Sequence, residues 1–377
     1  MVCANCLLPR VLSCCILSTL WSCRSAFLTE RRFAPSQCLF SERLFFPLRA
    51  RAAWYYLVVA LAILQGLTGA RGPSLLVACW CLLTLFADRY LCSPHLVHFA
   101  VASAALHLPG DAGLHVLDAY SAVLYTFAGL QKVNGAFAGG FVADVPSAFV
   151  RRACGGLRLE RALSPPLQRA VGYAAAATET ALGITLLFFT HHAYAGVALM
   201  HVLILLFYGP LGLATSEGVY GWNVWCLAWA ASGAGRRGGE ALLAHLARHP
   251  LLLLFMAAFS LPPTTSLLCA FGERLSMKMH SQNALRWRFL VRVAAGRPLA
   301  RAEGGVFPAE LLPFLEPMAA AAKDPHYRVL NVDLQAHLIC TSYMMPTLSA
   351  RTAGSLARCL EKELGVPVAL EQSGDAN

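Results

Sequence analysis

An all-α multi-pass membrane bundle of about eight transmembrane helices, followed by a small α+β C-terminal tail, is the fold class that this sequence predicts. Three observations carry it. Hydrophobic residues make up 57% of the chain and charged residues only 13%, against about a quarter charged in soluble domains. Apolar runs recur between residues 53 and 271, separated by polar breaks. The basic residues sit beside those runs, where membrane-flanking loops carry them.

The elements follow in chain order. Val11 to Trp21, after Arg10, is an apolar run too short to span comfortably, and the small residues at Ser25-Ala26 close it, so residues 1–26 read as a signal peptide. Residues 27–52 form a transit-like basic segment, with Arg31, Arg32, Arg43, Arg49 and Arg51 against Glu30 and Glu42. Two addresses in series, with Phe27 just after the presumed cut, resemble the bipartite leaders of proteins bound for secondary plastids. The alternative is a secretory signal followed by a basic flanking loop, which places the protein in the endoplasmic reticulum or another secretory membrane.

Residues 53–272 hold the bundle. Its apolar runs are Ala53–Thr68, Ser74–Leu91, His95–Leu108, Leu114–Val133, Ala170–Phe189, Ala193–Leu213, Tyr220–Ala234 and Pro250–Phe271. The third and seventh fall short of the roughly 20 residues that a crossing helix needs. An even count puts both chain ends on one side, together with the 134–169 loop and its Arg151, Arg152, Arg158, Arg161 and Arg169. Gly139-Gly140 and Gly155-Gly156 read as punctuation within that loop. Pro262-Pro263 either kinks the last run or ends it. In residues 273–377, Ser276–Ala295 reads as a basic amphipathic helix suited to an anionic membrane surface, Tyr327–Val332 and Val366–Leu370 as strands, and Thr352–Leu364 as a helix.

Several function classes drop out. The net charge of +10 is not read as a nucleic-acid footprint, because the basic residues sit beside apolar segments, as membrane-flanking loops require. Most of the fourteen cysteines sit in the N-terminus or in apolar runs, as small hydrophobes do. Cys3 and Cys6 have redox or metal spacing, but no second pair follows, and His191-His192 lacks a third ligand, so no metal is predicted. Gly-x-Ser-x-Gly, P-loop and His-Glu-x-x-His patterns are absent.

What remains is a short set of ionisable residues inside apolar runs: Asp118, Lys132 and Glu179, with His95, His98, His107, His115 and His201 as polar companions. Lys132 stands out, because only four of thirty basic residues are lysine and the other three lie beyond residue 277. A desolvated lysine can shed its proton and act as a base, whereas an arginine cannot. The competing reading is a stem that snorkels to the interface from a helix end.

Tyr125-Thr-Phe-Ala-Gly-Leu-Gln-Lys132-Val-Asn134, with Phe137 soon after, resembles the Tyr-Phe-x-Ala-Gly-x-x-Lys-Leu-Asp/Asn segment of the vitamin K-dependent gamma-carboxylase and its bacterial relatives, the HTTM membrane proteins. The resemblance implies an HTTM-like bundle, a lipid quinol such as phylloquinone as cofactor, and Lys132 as the base that deprotonates it. It also implies His95 as the second catalytic residue, and a pocket completed by Asn134, Glu179 and His201, to which Asp118 is added as a third ionisable group. Pro94 stands where the family has asparagine, Ile204-Leu205-Leu206 replaces an expected Asn-Ser pair, and the chain carries no large β-rich lumenal region. The expected partners are the bilayer, a lipid quinone and other subunits of a membrane complex. The rival expectation is a non-catalytic transporter lined by Asp118, Lys132 and Glu179, or an assembly subunit.

Overall fold

The computed structural model describes residues 4–22, 24–28, 48–87, 94–108, 111–208, 217–234, 242–268, 286–292, 315–316, 327–330, 357–358, 361 and 368–373. Two helices, α1 (Ala4–Ser22) and α2 (Arg24–Leu28), precede the apolar runs. A helix then occupies the described part of each run: α3 (Leu48–Thr68), α4 (Arg71–Ala87), α5 (Pro94–His107) and α6 (Ala112–Gln131) come first. α7 (Gly135–Asp144), α8 (Pro146–Ala153) and α9 (Leu159–Ala162) fill the stretch expected to be a loop. α10 (Pro165–Phe188), α11 (Thr190–Tyr208), α12 (Glu217–Ala234), α13 (Leu242–Arg248) and α14 (Pro250–Leu268) complete the series. Three of them, α3, α10 and α11, are long and apolar enough to cross a membrane.

α6 is the axis of the bundle. Its residues are buried around the whole circumference, from Gly113 to Gln131, which marks a helix surrounded by protein. It packs on α5, α10, α13 and α14. It approaches α10 closely at two points, where small residues face one another at helical spacing. A Cβ added at Gly129 would lie 2.5 Å from Thr180 N, and one added at Gly183 would lie 2.4 Å from Thr126 N. Without side chains at these two points the backbones touch, as in small-residue helix pairs of membrane proteins. Gly172 meets Ala138 of α7 in the same way, at 2.5 Å. α7 therefore continues along α10 where α6 stops.

The segment expected to be a signal peptide is packed within the bundle in the full chain. Leu8, Leu12, Cys15, Ile16 and Leu20 of α1 recur at helical spacing and are buried. They face α12, α3 and α5, and a Cβ at Gly221 of α12 would sit 2.5 Å from the Cys15 carbonyl oxygen. Gln65 of α3 donates to Pro9 O at 3.2 Å. Phe27, just beyond the presumed cut, is fully buried between Tyr55 and Trp80, with ring centroids 5.4 and 5.9 Å away. Arg49 and Arg51 belong to α3 rather than to the transit-like segment, the rest of which lies largely outside the described residues.

Other expectations are corrected by the backbone. Gly139-Gly140 lies inside α7, whose Phe137, Ala138 and Val142 form a buried apolar stripe. Gly155 and Gly156 are true turn residues, with φ of 63° and 99°. Ser147 of α8 donates to the Glu160 carboxylate of α9, and that hydrogen bond holds the carboxyl below its ordinary range. Its stabilising contribution is therefore present above the ordinary carboxyl range and fades as the pH falls through the lowered value. α14 runs through Pro262-Pro263 to Leu268, although each proline inside a helix removes a backbone donor and crowds the carbonyl four residues back.

Beyond the bundle, β1 (Arg286–Arg292), β2 (Leu315–Glu316), β3 (Tyr327–Leu330) and β4 (Val368–Ser373) pair antiparallel in the order β2-β3-β1-β4. Residues 286–292 are thus a strand, where an amphipathic helix was expected. The sequence reason is its period: Trp287, Phe289 and Val291 recur at every second position, between Arg286, Arg288 and Arg292. Within the expected helix Thr352–Leu364, the described residues 357, 358 and 361 are helical.

The α6–α10 contact has a direct test. Gly183→Val must push the Thr126 backbone away, and overpacking of this kind costs about 1–3 kcal/mol. A lowered thermal midpoint of the detergent-solubilised protein is the expected reading. Gly72→Ala, with nothing within 4 Å of the added carbon, should stay within about 0.5 kcal/mol of the parent.

Candidate functional site: the joint between α6 and α7

α6 stops at its Lys132 C-cap, and the chain turns within Val133 and Asn134 before α7 begins. Asn134 has extended backbone, with φ −148° and ψ 158°. Its side chain serves both helix ends. Oδ1 accepts from Phe137 N–H at 2.8 Å and caps α7, while Nδ2 donates to Gln131 O at 3.0 Å and satisfies the last turn of α6. Asn134 was expected to line a ligand pocket. The structure makes it the pin of the joint instead.

Lys132 projects from this joint to Glu179 of α10, and its ammonium donates to Oε2 in an ion pair whose side chains are only 13% and 17% exposed. The contact between Gly129 and Thr180 brings the two together, because Glu179 is Thr180's neighbour on α10. At 1.5 Å per residue, Glu179 stands about 21 Å from Pro165 and about 13 Å from Phe188. The pair thus lies in the interior of α10. The end of α6 that Lys132 occupies therefore faces a partner deep along α10.

Two turns earlier on the same face of α6, Tyr125 Oη lies 2.7 Å from His201 Nε2 on α11, and His201 Nδ1 lies 2.5 Å from Asn223 Oδ1 on α12. All three are buried. Tyr125, which belongs to the motif but not to the expected site set, thus sets His201 two turns along this face of α6 from Lys132.

Asp118 and His95 lie elsewhere. Asp118 Oδ1 accepts from Tyr194 Oη at 2.7 Å and from Trp229 Nε1 at 3.2 Å, and ties α6 to α11 and α12. It is about 21 Å from Lys132 along α6, so the structure removes it from that pocket. On α5, His98 Nδ1 lies 2.5 Å from Tyr120 Oη, and Gly113 abuts Ala105. This antiparallel pairing sets His95 level with Val123, about 13 Å along the axis from Lys132. His95 instead stands beside His98, with ring centroids 6.3 Å apart, and His98 packs on Trp222 at 4.7 Å. The partner of Lys132 is an acid from α10 rather than a histidine from α5, because the Gly129–Thr180 contact sets Glu179 beside the end of α6.

The sequence did offer a signal for Asn223: it is the one amide in the run Tyr220–Ala234, and a buried amide demands partners. Among the described residues no group of three or more His, Cys, Asp or Glu side chains could hold a metal ion. The His191 and His192 ring centroids are 5.8 Å apart, and Cys3 lies outside the described residues. No family model, curated protein or solved structure matches this chain.

Two measurements address the joint. Lys132→Ala and Glu179→Ala each leave a partly exposed charge without its partner and should each cost at most about 3–5 kcal/mol, the range for fully buried pairs, whereas the double variant should cost less than their sum. A double-mutant cycle of thermal or denaturant unfolding reads this directly, and additive costs would mean that the pair is not coupled. Asn134→Ala removes caps from two helix ends and should cost about 0.5–2 kcal/mol. It should also speed amide hydrogen exchange at Gly135 to Phe137, where the capped turn begins.

Proposed function

We propose that this chain is a multi-pass membrane protein of about eight crossing helices that deprotonates a lipid quinol at the α6–α7 joint, with Lys132 and Glu179 as its acid–base pair. The observation that carries the reading is a lysine–glutamate pair held in the interior of α10, at a break in the axial helix. Support comes also from the resemblance of residues 125–137 to the carboxylase segment in which the lysine is the base. A membrane setting is supported by the three helices long enough to cross. The C-terminal residues form a small α+β tail on this reading, and a plastid membrane, rich in phylloquinone, is the favoured location over a secretory one.

Transfer of the Lys132 proton to the Glu179 carboxylate converts an ion pair into an amine and a neutral acid, which a poorly solvated interior penalises less than separated charges. Lys132 Nζ is then free to accept a phenolic proton. A reduced quinol supplies that hydroxyl and, once deprotonated, an electron-rich ring. Glu179 replaces His95 as the group that tunes the base, and His95 takes no step at this site.

The break in the axial helix favours a second reading. Discontinuous helices with charged groups at their ends also build the binding sites of transporters, and Lys132–Glu179 then serves as a gate or coupling site in such a protein or in a subunit of a larger membrane complex. Equilibrium binding of a prenylated naphthohydroquinone to the protein in nanodiscs separates the two. On the quinol reading, Lys132→Ala and Glu179→Gln each weaken binding about 10- to 100-fold, the worth of a charged hydrogen bond. No saturable binding by the parent protein would discard the quinol reading and leave the transporter.

A further inference from the structure

The chain between α7 and α10 carries an unbalanced charge. From Arg151 to Arg169 it holds five arginines, Arg151, Arg152, Arg158, Arg161 and Arg169, and one acid, Glu160. All five arginines are exposed, and the Glu160 carboxylate accepts from the Ser147 hydroxyl of α8. The backbone holds this segment as a fixed hairpin. Gly156 N–H donates to Arg151 O at 2.8 Å and closes the last turn of α8, and the positive φ of Gly155 and Gly156 reverses the chain. Gln168 Nε2 of α10 donates to Glu160 O at 2.7 Å and to Leu163 O at 2.9 Å, which fastens α9 to the start of α10. Phe149 of α8 meets Phe207 of α11 edge to face, with ring centroids 5.6 Å apart. Val145 and Ser147 are buried, so α8 lies against the bundle on its apolar side and leaves its arginines outside.

Two further observations say what meets this charge. α10 holds 24 residues, which at 1.5 Å each make about 36 Å against about 30 Å of hydrocarbon, so a crossing α10 sets the hairpin at one membrane surface. Leu157 at the hairpin tip and Leu167 in the first turn of α10 are 54% and 48% exposed among the arginines. Arginines alone would suit any polyanion, but large apolar side chains between them suit a surface where phosphates lie over hydrocarbon. We propose that the α8–α9 hairpin is a docking surface for the headgroups of anionic lipids in the leaflet that α10 enters. Guanidinium groups take headgroup phosphates two N–H donors at a time, while Leu157 and Leu167 rest on the acyl chains beneath. With Pro165 held at the headgroups, Glu179 lies about 21 Å along α10, well below that surface. The docking surface rests on the reading of α10 as a crossing helix and not on the quinol chemistry at Lys132.

The test measures binding of a fluorescent phosphatidylglycerol to the full chain in detergent micelles, against a phosphatidylcholine with the same acyl chains. The parent should bind the anionic lipid about tenfold more tightly at low salt, and the ratio should approach one at about 1 M salt, where screening acts over about 3 Å. A variant with Arg151→Gln, Arg152→Gln, Arg158→Gln and Arg161→Gln should lose the preference, and lysine at the same four positions should keep it within about threefold of the parent. Should the glutamine variant not fold, the salt response of the parent and the lysine variant decide. The control is Arg71→Gln with Arg248→Gln, at the other end of the bundle, where His107 meets Arg71 O and His245 stacks on His115. A ratio near one in the parent, or an unchanged ratio in the glutamine variant, overturns the docking surface. An equal loss in the control also overturns it, because the preference would then belong to the charge of the whole bundle. Salt-dependent binding of polyglutamate by a parent without lipid preference overturns it in favour of an acidic protein partner. Alkaline extraction of membranes tells the two readings apart: a released chain overturns the crossing of α10 and the docking surface with it, whereas a retained chain without lipid preference overturns the docking surface alone.

Discussion

The close contact of α6 with α10 is the constraint on which the rest of the bundle depends. Gly129 and Gly183 remove side chains at the two points where the helix backbones meet, and no larger residue fits either place. That approach does two things at once. It supplies dense packing between the two helices, and it brings an acid from the interior of α10 against the amine at the end of α6. An ion pair in such a place is costly to desolvate unless its geometry is fixed by its surroundings. Here the geometry is set by backbone contact, which side-chain motion cannot relax.

A second consequence of that contact is the break itself. Once α6 ends, its final carbonyls and the first amides of the next helix need partners, and exposed backbone groups inside a bundle are expensive. Asn134 answers both needs with one amide, which explains why the helix direction resumes in α7 rather than dissolving into a loop. Gly172 then lets α7 lie against α10 as closely as α6 does. The joint is therefore rigid at the backbone while leaving Lys132 and Glu179 partly exposed, the combination that a reactive group inside a helical core requires.

The polar side chains of the core sort into separate clusters, each fastening different helices. Asp118 with Tyr194 and Trp229 holds α6, α11 and α12; His98 with Tyr120 and Trp222 holds α5, α6 and α12; Tyr125 with His201 and Asn223 again joins α6, α11 and α12. α12 enters all three through side chains at positions 222, 223 and 229, and it is also the helix on which α1 rests. A buried polar group gains most when its partner is supplied by another element, because the bond then specifies which helices are neighbours as well as satisfying the group. The first residues of the chain share in this order, since Cys15 and Gly221 meet at van der Waals contact or closer.

The residues alone determined where the long helices run, because apolar composition and period are local properties; a helix occupies the described part of every apolar run between 53 and 271. They also marked Lys132, by its isolation among arginines, and Glu179, by its place in an apolar helix. The identity of the lysine's partner was not legible, for it depends on which helix comes nearest, and that is decided by glycines whose meaning appears only when two backbones touch. For the same reason His95 and Asp118, plausible companions by composition, fall a dozen or more ångströms away along α6. Asn134 read as part of a ligand-binding motif, yet its amide is consumed by two helix ends that exist only once the chain is folded. Residues 286–292 show the converse: their alternation was already written in the sequence, but a strand forms only where β3 and β4 stand on either side to pair with it.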